Sequence, residues 1–267
     1  MNSFLKWAGN KYRIIERIKA VLPAGTRLIE PFVGSGAAFL NTDYSSYLLA
    51  DTNRDLIQLF MHLQAEGQQF IDYCRDFFNP AYNSQEAYNG LRIVFNNTSD
   101  TRLKSALFIY LNRHCFNGLC RYNSSNEFNT PFGRHKKAYF PEQEMQNFSQ
   151  KAQRATFICA DFVTTMQQAQ PGDVIYCDPP FVPLSATANF TSYSADGFNE
   201  SQQIALAKMA EELMAKGIPV VISNHNTEFT QNIYALAKLD TFEVQRFISS
   251  KGNKREKAAE LLAIYHP

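Results

Sequence analysis

The chain alternates short apolar runs with longer segments of helical periodicity, a pattern that predicts alternating strands and helices. The runs that predict strands are "TRLIE", "YLLAD", "ATFICAD", "DVIYCD" and "IPVVISNH", with two more strands expected in the C-terminal stretch "FEVQRFISSKGNKREKAAELLAIYHP". Between them, "TNRDLIQLFMHLQ" and "ESQQIALAKMAEELMAKG" have apolar residues at helix spacing, and the second should stop at Gly217. We therefore expect an α/β fold with a mostly parallel seven-stranded sheet and an antiparallel last strand.

The middle of the chain departs from this alternation. Residues 70–141 are rich in Asn, Tyr, Phe, Arg and Lys and poor in strand signals, and "TRLKSALFIYLNRHCFNGLCRYN" begins as a helix and ends as a polar, aromatic loop. We interpret 70–141 as an inserted, mostly helical domain. The main domain would then comprise 1–69 and 142–267.

Composition narrows the class of protein but not its activity. Of 267 residues, 45% are hydrophobic and 19% are charged, as in ordinary folded domains. No apolar stretch reaches the roughly 20 residues of a membrane helix, and the polar N-terminus does not resemble a signal peptide. We expect a cytoplasmic protein. The five cysteines form no metal-binding pattern and are interpreted as reduced thiols. With a net charge of +1, any nucleic-acid surface must be a local patch.

The first candidate site follows the first predicted strand, in the stretch "FVGSG". Gly34 and Gly36 allow close approach of the backbone to a ligand, and Asp51 at the end of the next strand could accept both hydroxyls of a ribose. The turn matches neither the P-loop nor the dinucleotide motif. It therefore favours a nucleoside ligand without a pyrophosphate, of which S-adenosylmethionine is the commonest.

The second candidate site is "YCDPPF", which places Asp178, two prolines and Phe181 directly after a predicted buried strand. Asp178 could simply cap a following helix. Alternatively, Asp178 and the carbonyl of Pro179 could each accept one N–H of an exocyclic amine on a planar base. That would free the lone pair of the nitrogen for a methyl group, while Phe181 stacks on the base. The prolines would hold these groups in one geometry.

Longer stretches throughout the chain resemble one family. They are "FLKWAGNK", "EPFVGSGAAFLNTD", "LLADTNRDLI", "YLNRHCFNGLCRYN", "FNTPFGRHKKAYFP", "YCDPPFVPLSATANFTSY", "VVISNHNT" and "ISSKGNKREKAAELLAIY". Together they are similar to the Dam family of DNA adenine-N6 methyltransferases. The resemblance implies transfer of a methyl group from S-adenosylmethionine, leaving S-adenosylhomocysteine, to a flipped adenine in GATC of double-stranded DNA. It implies a monomer associated with the nucleoid that works without a metal or a covalent enzyme intermediate.

The resemblance also implies roles for particular residues. The cofactor-binding set would be Trp7, Lys11, Phe32, Gly34, Gly36, Asp51, Asp161, Phe162 and Asp178, and the target adenine would meet Asp178, Pro179, Pro180 and Phe181. Arg121 would read a guanine, Leu119 a thymine methyl group and Lys6 the first guanine, while Phe116 would fill the space left by the flipped base.

Other residues would contact backbone or nearby bases. These are Asn117, Asn123, Pro131 and Arg134. Phosphates could be met by Arg134, Lys136, Lys137, Lys251, Lys254, Arg255 and Lys257. For each of these basic residues, ordinary solvated surface charge is the competing interpretation. His225 in "SNHNT" is interpreted as structural.

Three positions depart from the family pattern. Phe181 replaces the usual tyrosine of D-P-P-Y, which keeps stacking but removes a hydroxyl. Asn10 replaces a glycine of W-A-G-G-K, and Phe116 stands where tyrosine is frequent. Activity could therefore be reduced by Phe181.

Two rival functions stay open. One is methylation of another planar amine or amide, in RNA or a protein glutamine, which also uses [DN]-P-P-[YF]. The other is a non-catalytic DNA-binding protein that lost activity through Phe181. A cytosine carbon-5 methyltransferase is disfavoured because no cysteine follows a proline, and a zinc deaminase because H-x-E and P-C-x-x-C do not occur.

Overall fold

A seven-stranded sheet forms the centre of the computed structural model, which describes residues 1–183, 198–245 and 257–267. The strands are β1 (Arg27–Glu30), β2 (Ser46–Asp51), β3 (Ala155–Cys159), β4 (Asp173–Cys177), β5 (Val220–His225), β6 (Lys238–Gln245) and β7 (Lys257–Tyr265). Their order is β3-β2-β1-β4-β5-β7-β6. Strands β1 to β5 pair in parallel, whereas β7 is antiparallel to both β5 and β6. The predicted fold class is confirmed.

The sheet reverses its strand order beside β1, which pairs with β2 on one side and β4 on the other. Parallel strands have their carboxyl ends at one edge, and ligands of open α/β sheets bind in the crevice at such a switch point. The glycine turn after β1 and the "DPPF" stretch after β4 therefore leave the same edge from neighbouring strands. The two predicted sites are therefore neighbours in the sheet, although they are far apart in the sequence.

The described residues form helices on both faces of the sheet. They are α1 (Ile15–Val21), α2 (Ala37–Asn41), α3 (Arg54–Glu66), α4 (Gln68–Arg75), α5 (Gln85–Asn97), α6 (Thr101–His114), α7 (Glu142–Ala152), α8 (Phe162–Met166), α9 (Glu200–Ala215) and α10 (Glu228–Ile233). Side-chain caps explain several starts: Asn53 accepts the N–H of Leu56 at α3, and Asn199 forms a capping box with Gln202 at α9. Among the described helices, none is long and apolar enough to cross a membrane.

The segment 70–141, expected to be an inserted domain, contains most of α4 together with α5 and α6, followed by a long loop. All residues of α6 from Ser105 to His114 are buried. Its Phe108 and Tyr110 belong to the same apolar cluster as Phe39 and Leu49 of the main domain. The insertion therefore packs on one face of the sheet through a continuous core. The proposed boundaries at 70 and 141 stay a prediction.

Candidate active site and nucleic-acid interface

The glycine turn after β1 is held by the acid that ends β2. Gly34 and Gly36 have φ values of 47° and 73°, in the left-handed region that favours glycine. The N–H of Gly34 donates to Oδ2 of Asp51 at 3.1 Å, and Oδ1 accepts the N–H of Asn53 at 2.9 Å. Burial raises the pKa of Asp51, while backbone N–H donors from Asn53, Gly34 and Thr52 oppose that rise. Asp51 thus fixes the turn on which the predicted ligand would lie.

Trp7 lies directly on this turn. A Cβ atom built on Gly34 would come within 2.9 Å of Nε1 of Trp7. Any side chain at residue 34 would therefore displace the indole ring. The N-terminal segment and the glycine turn consequently form one surface, as their shared assignment to the cofactor pocket requires.

Three phenylalanines form an aromatic group beside the turn. Phe32 stacks with Phe162 at a centroid distance of 5.8 Å, and Phe198 packs edge-on against both rings, at 5.4 and 5.6 Å. Asp161, which precedes Phe162, accepts the N–H of Thr164 and caps α8. The predicted neighbours Phe32 and Phe162 are brought together. Phe198 escaped sequence analysis because an isolated phenylalanine after a polar loop has no recognisable pattern.

Glu30 is a buried acid at the end of β1 whose Oε1 atom has no hydrogen-bond partner within the described part of the chain. Burial raises its pKa to about 8, and the nearby Asp178 carboxylate adds to the rise. An orphaned carboxylate oxygen of this kind is costly unless a cation or donor reaches it. It lies next to the glycine turn, and sequence analysis did not select it.

Asp178, directly after β4, has two side-chain partners. Nζ of Lys11 lies 2.8 Å from its Oδ1 atom, and the hydroxyl of Ser223 donates to the same oxygen at 3.0 Å. Tyr176 is 2.9 Å from Ser223, so the two hydroxyls form a chain that ends at the carboxylate. Burial raises the pKa of Asp178, whereas Lys11 and Ser223 hold it down. Residues 178–183 form no helix, so the helix-cap interpretation of Asp178 loses its support.

Lys11 is predicted to bind the cofactor, but its ammonium group lies at the "DPPF" stretch and not at the glycine turn. Its Nζ atom donates to the carbonyl of Gly9 at 2.7 Å and lies 4.3 Å from the centroid of the Phe181 ring. Together with its bond to Asp178, these contacts put the ammonium at the "DPPF" stretch. Its assignment to the cofactor stays a prediction, and a role at the predicted target-base site is closer to its observed contacts.

The Phe181 ring is enclosed from the side of β5. His225 packs edge-on at a centroid distance of 4.8 Å and bonds through Nδ1 to the carbonyl of Val182. Asn224 accepts the N–H of Val182 at 3.1 Å, and Gln203 of α9 donates to the carbonyl of Pro180 at 2.8 Å. Sequence analysis missed Ser223, Asn224 and Gln203, because buried polar residues inside apolar elements show no spacing signal.

The predicted DNA-contacting residues lie on two loop segments that pair with each other. Cys115 forms an antiparallel bridge with Phe132, and the N–H of Phe116 donates to the carbonyl of Pro131 at 2.8 Å. The Phe116 side chain is 51% exposed, which leaves the ring free for an intercalating role. Asn117 and Arg134 both have positive φ values, 55° and 53°. The pairing therefore brings the predicted residues of 116–117 and 131–134 together.

The second half of this loop carries Arg121 and Leu119. Nε of Arg121 donates to Oδ1 of Asn129 at 2.7 Å, and Thr130 donates to the carbonyl of Leu119 at 2.7 Å. The Arg121 side chain is exposed. Asn123 uses its Oδ1 to accept two N–H groups of its own turn, from residues 125 and 127. Asn123 therefore stabilises the loop, and its predicted DNA contact is untested.

Lys6 joins this surface from the N-terminus. Its aliphatic chain packs on Gly118, where an added Cβ would come within 2.4 Å of it. Asn112 of α6 bonds both the N–H and the carbonyl of Lys6, at 2.9 and 2.7 Å, and also the carbonyl of Gly118. Burial, with a contribution from Arg113, lowers the pKa of Lys6. The structure therefore brings Lys6 to the Leu119–Arg121 loop, next to the residues with which the resemblance groups it.

Part of the predicted basic surface can be located. Arg134, Lys136 and Lys137 are exposed on the loop after Gly133. Residues 251, 254 and 255 lie outside the described residues, as does the "PLSATANFT" stretch from residue 184 onward, and the side chain of Lys257 is not described either. The phosphate contacts of all seven basic residues stay predictions.

Comparison with known proteins places the chain in a family. Residues 7–248 match the family described as D12 class N6 adenine-specific DNA methyltransferase. The chain is 50% identical to the DNA adenine methylases of Salmonella typhi and Escherichia coli K12 over 265 residues, 99% of this chain and 95% of each relative. The identity to the DNA adenine methylase of Vibrio cholerae is also 50%, over 99% of this chain and 96% of the relative.

A solved structure of precorrin 8w decarboxylase aligns with 94% of this chain and 88% of its own, at a TM-score of 0.38 and 8% identity, and such a likeness carries no functional argument. The family match and the full-length relatives agree with an edge of the sheet that unites a glycine turn, an aromatic group and the "DPPF" stretch. The chain belongs to the D12 class of N6 adenine-specific DNA methyltransferases.

Proposed function

We propose that the chain transfers a methyl group from S-adenosylmethionine to N6 of an adenine that is flipped out of GATC in double-stranded DNA. The observation that carries the proposal is the position of the Asp178 carboxylate and the Phe181 ring at the carboxyl end of β4, beside the glycine turn after β1. A base stacked on Phe181 could direct its amine to Asp178 and to the carbonyl of Pro179. The neighbouring turn would hold the cofactor within reach of that amine.

The residues at the turn fit S-adenosylmethionine. The Oε1 atom of Glu30, which has no partner among the described residues, is suited to an ammonium group, the cationic one of the two charged groups in the amino-acid part of the cofactor. Asp51 stands where a ribose would meet it, and Phe32 with Phe162 offers aromatic surface for the adenine. Trp7 packs so closely on Gly34 that no side chain would fit at residue 34. When bound, the cofactor supplies an electrophilic methyl group on a sulfonium.

Asp178 acts as an acceptor that orients the amine. An ionised carboxylate accepts an N–H strongly, and Lys11 together with Ser223 favours ionisation against the cost of burial. When the Asp178 carboxylate and the Pro179 carbonyl each accept one N–H of the amine, the lone pair of the nitrogen is less delocalised into the ring. Catalysis then rests on positioning and electrostatics, with displacement in a single step.

Target recognition belongs to the loop after α6 and to Lys6. Arg121 is exposed and oriented by Asn129, so its remaining donors suit the O6 and N7 acceptors of guanine. Phe116 is exposed at the tip of the paired loop, where an aromatic ring could fill the gap that a flipped base leaves. These contacts would supply both the sequence preference and the energy that offsets unstacking.

The decisive experiment measures transfer of a labelled methyl group to matched duplexes that carry GATC or GTTC, with Asp178→Ala as the control. Label on GATC alone, abolished by the substitution, is the expected result. Equal label on both duplexes overturns the GATC assignment. Label that survives the substitution overturns the role of Asp178.

The two rivals predict other outcomes of the same measurement. A methyltransferase for RNA or protein would leave both duplexes unlabelled and label one of those substrates instead. A non-catalytic DNA-binding protein would bind the cofactor and the duplex without transfer, and Phe181→Tyr would then be the next variant to test.

A further inference from the structure

Both peptide groups that flank Phe181 are anchored by one pair of buried amide side chains. The carbonyl of Pro180 belongs to the peptide before Phe181 and accepts from Nε2 of Gln203 at 2.8 Å. The N–H of Val182 belongs to the peptide after it and donates to Oδ1 of Asn224 at 3.1 Å. The two amides bond to each other, with Nδ2 of Asn224 donating to Oε1 of Gln203 at 3.0 Å. This closed arrangement fixes both backbone torsions of Phe181.

The partners of this pair determine the orientation of each amide. Oδ1 of Asn224 also accepts the N–H of His225 at 2.9 Å, and two backbone donors leave no alternative to an oxygen there. Nδ2 of Asn224 has a second acceptor in the hydroxyl of Tyr234 at 3.0 Å. Asn224, Gln203 and Tyr234 are at most 2% exposed. A buried network in which each of these amide atoms has a partner is rigid, because any rotation leaves a buried group unsatisfied.

The pair also connects three separate elements. Asn224 lies in β5, Gln203 in the first turns of α9, and Tyr234 directly after α10. Asn224 and Gln203 bond the backbone of the loop after β4, and Tyr234 bonds the two amides. A purely structural role would require only that β5, α9 and α10 pack together, which their apolar residues already ensure. The specific polar contacts are directed at the backbone on either side of one aromatic ring.

We infer that Asn224 and Gln203 are positioning residues for methyl transfer, and that they set the angle of the Phe181 ring on which the target adenine stacks. The inference rests on the proposed function, since it assigns to Phe181 the target base. Neither residue touches the base. Each acts through the backbone that carries the ring and the neighbouring Pro179 carbonyl.

Asn224→Asp tests this inference with almost no change in shape. The new carboxylate still accepts from Val182 and His225, but it faces Oε1 of Gln203 with an oxygen instead of an N–H. Gln203 must then turn its amide and set an oxygen against the carbonyl of Pro180, which breaks that anchor. We expect kcat to fall on the order of 10- to 100-fold at alkaline pH, because misplacing the reacting groups by about 1 Å can lower a rate by as much as about 100-fold. KM values for DNA and cofactor should change little.

A pH profile separates positioning from general damage. Burial disfavours the charged form of a carboxyl, so the pKa of an aspartate at 224 should lie above its usual value. Its protonated form carries an O–H that can donate to Gln203, as the amide of Asn224 does. The deficit in kcat relative to the wild-type protein should therefore shrink as pH falls. Gln203→Leu removes the Pro180 anchor without a titratable group, so its deficit should be independent of pH.

Asn147→Asp is the matched control. Oδ1 of Asn147 accepts from Gln143 on the surface of α7, and a carboxylate keeps that bond. Thermal unfolding of each variant establishes which of them are folded. The inference is overturned if the folded Asn224→Asp and Gln203→Leu proteins have the kcat of Asn147→Asp, or if only their KM values rise. Failure of the wild-type protein to label the GATC duplex would instead remove the proposed function itself.

Discussion

Two segments carry most of the residues proposed to contact DNA, and they are held by different contacts. The "DPPF" stretch after β4 is fixed by buried side chains of other elements, including Lys11, Ser223 and Asn224. The loop after α6 has bonds within itself, such as Arg121 to Asn129, and is also held from below by Tyr88 and Asn96 of α5. Its side chains Phe116 and Arg121 themselves are exposed. Buried groups that lose a partner cost more than exposed ones, because water can replace an exposed partner.

The difference suggests a division of labour. Chemistry needs acceptor and ring in one geometry, which a buried and satisfied network provides. Recognition needs exposed donors that can reach base edges, which the exposed side chains of a surface loop provide. Substitutions in the first segment should therefore lower kcat, whereas those in the second should alter sequence preference and salt dependence.

The largest effect is expected at Asp178. Asp178→Asn keeps the shape of the side chain but places a donor where the amine needs an acceptor, and it removes the negative charge beside Lys11. Loss of one preorganised electrostatic partner lowers kcat on the order of 10²- to 10³-fold. Single-turnover methyl transfer measures this effect, with cofactor binding as the control for an intact fold. A variant within the range of surface substitutions would mean that the carboxylate is not the acceptor.

Lys11→Met sharpens the electrostatic side of the same region. Burial raises the pKa of Asp178 and Lys11 opposes the rise, so loss of the ammonium should raise that pKa further. Activity requires the ionised carboxylate and is lost as pH falls through this pKa. The acid limb of the kcat profile should therefore move to higher pH.

Lys216→Met is the comparison for Lys11→Met, since Lys216 is an exposed cation at the C-terminal end of α9. Its acid limb should coincide with that of the wild-type protein. An unchanged acid limb in Lys11→Met would show that another group sets the lower pH boundary, and a loss of cofactor affinity alone would return Lys11 to the cofactor pocket.

In the recognition loop, Arg121→Ala should relax discrimination at one base pair. A bidentate contact to guanine contributes about 1–3 kcal/mol of preference over the wrong base. Transfer rates on GATC and on duplexes altered at each single position give this preference directly. The drop should be confined to one guanine position, with kcat at saturating DNA nearly unchanged.

Lys137→Ala tests whether Lys137 contacts phosphates, independently of sequence, or base edges. Lys137 is exposed on the loop that pairs with the recognition segment, and its proposed partner is a phosphate. Binding should weaken by a similar factor for every duplex, and the slope of log affinity against log salt should decrease by about 1. Sequence-dependent weakening would move Lys137 from the phosphate contacts to the base readers.

The fold was predictable because its signals are local. Most of the strands contain an apolar run that can be recognised, β6 instead alternates polar and apolar residues, and the stop of α9 is marked by Gly217 with its positive φ. The active-site proposal likewise follows from contiguous motifs at Asp178 and at the glycine turn. Local spacing fails where function depends on contacts between distant residues, as for Asn112, which is 106 positions from its partner Lys6.

The polar residues that sequence missed share one physical property. Glu30, Ser223, Asn224 and Gln203 are polar groups buried within otherwise apolar elements. In the sequence, such residues only interrupt an apolar run. Their role depends on which backbone group lies opposite them in the folded protein. Lys11 shows a related limit. Its motif marks it as a site residue, but only the structure shows that its partner is Asp178.

The smallest effect is expected for Phe181→Tyr, which restores the usual residue of the family motif. Stacking uses the face of the ring, and both rings offer the same face. The edge contact with His225 and the Lys11 ammonium over the ring do not require a hydroxyl. We therefore expect kcat to change by no more than about 0.5 kcal/mol in activation free energy, as for substitutions that disturb no buried group. A large gain in rate would show that the hydroxyl takes part in holding the base, and that the rigid backbone around residue 181 alone does not set the rate.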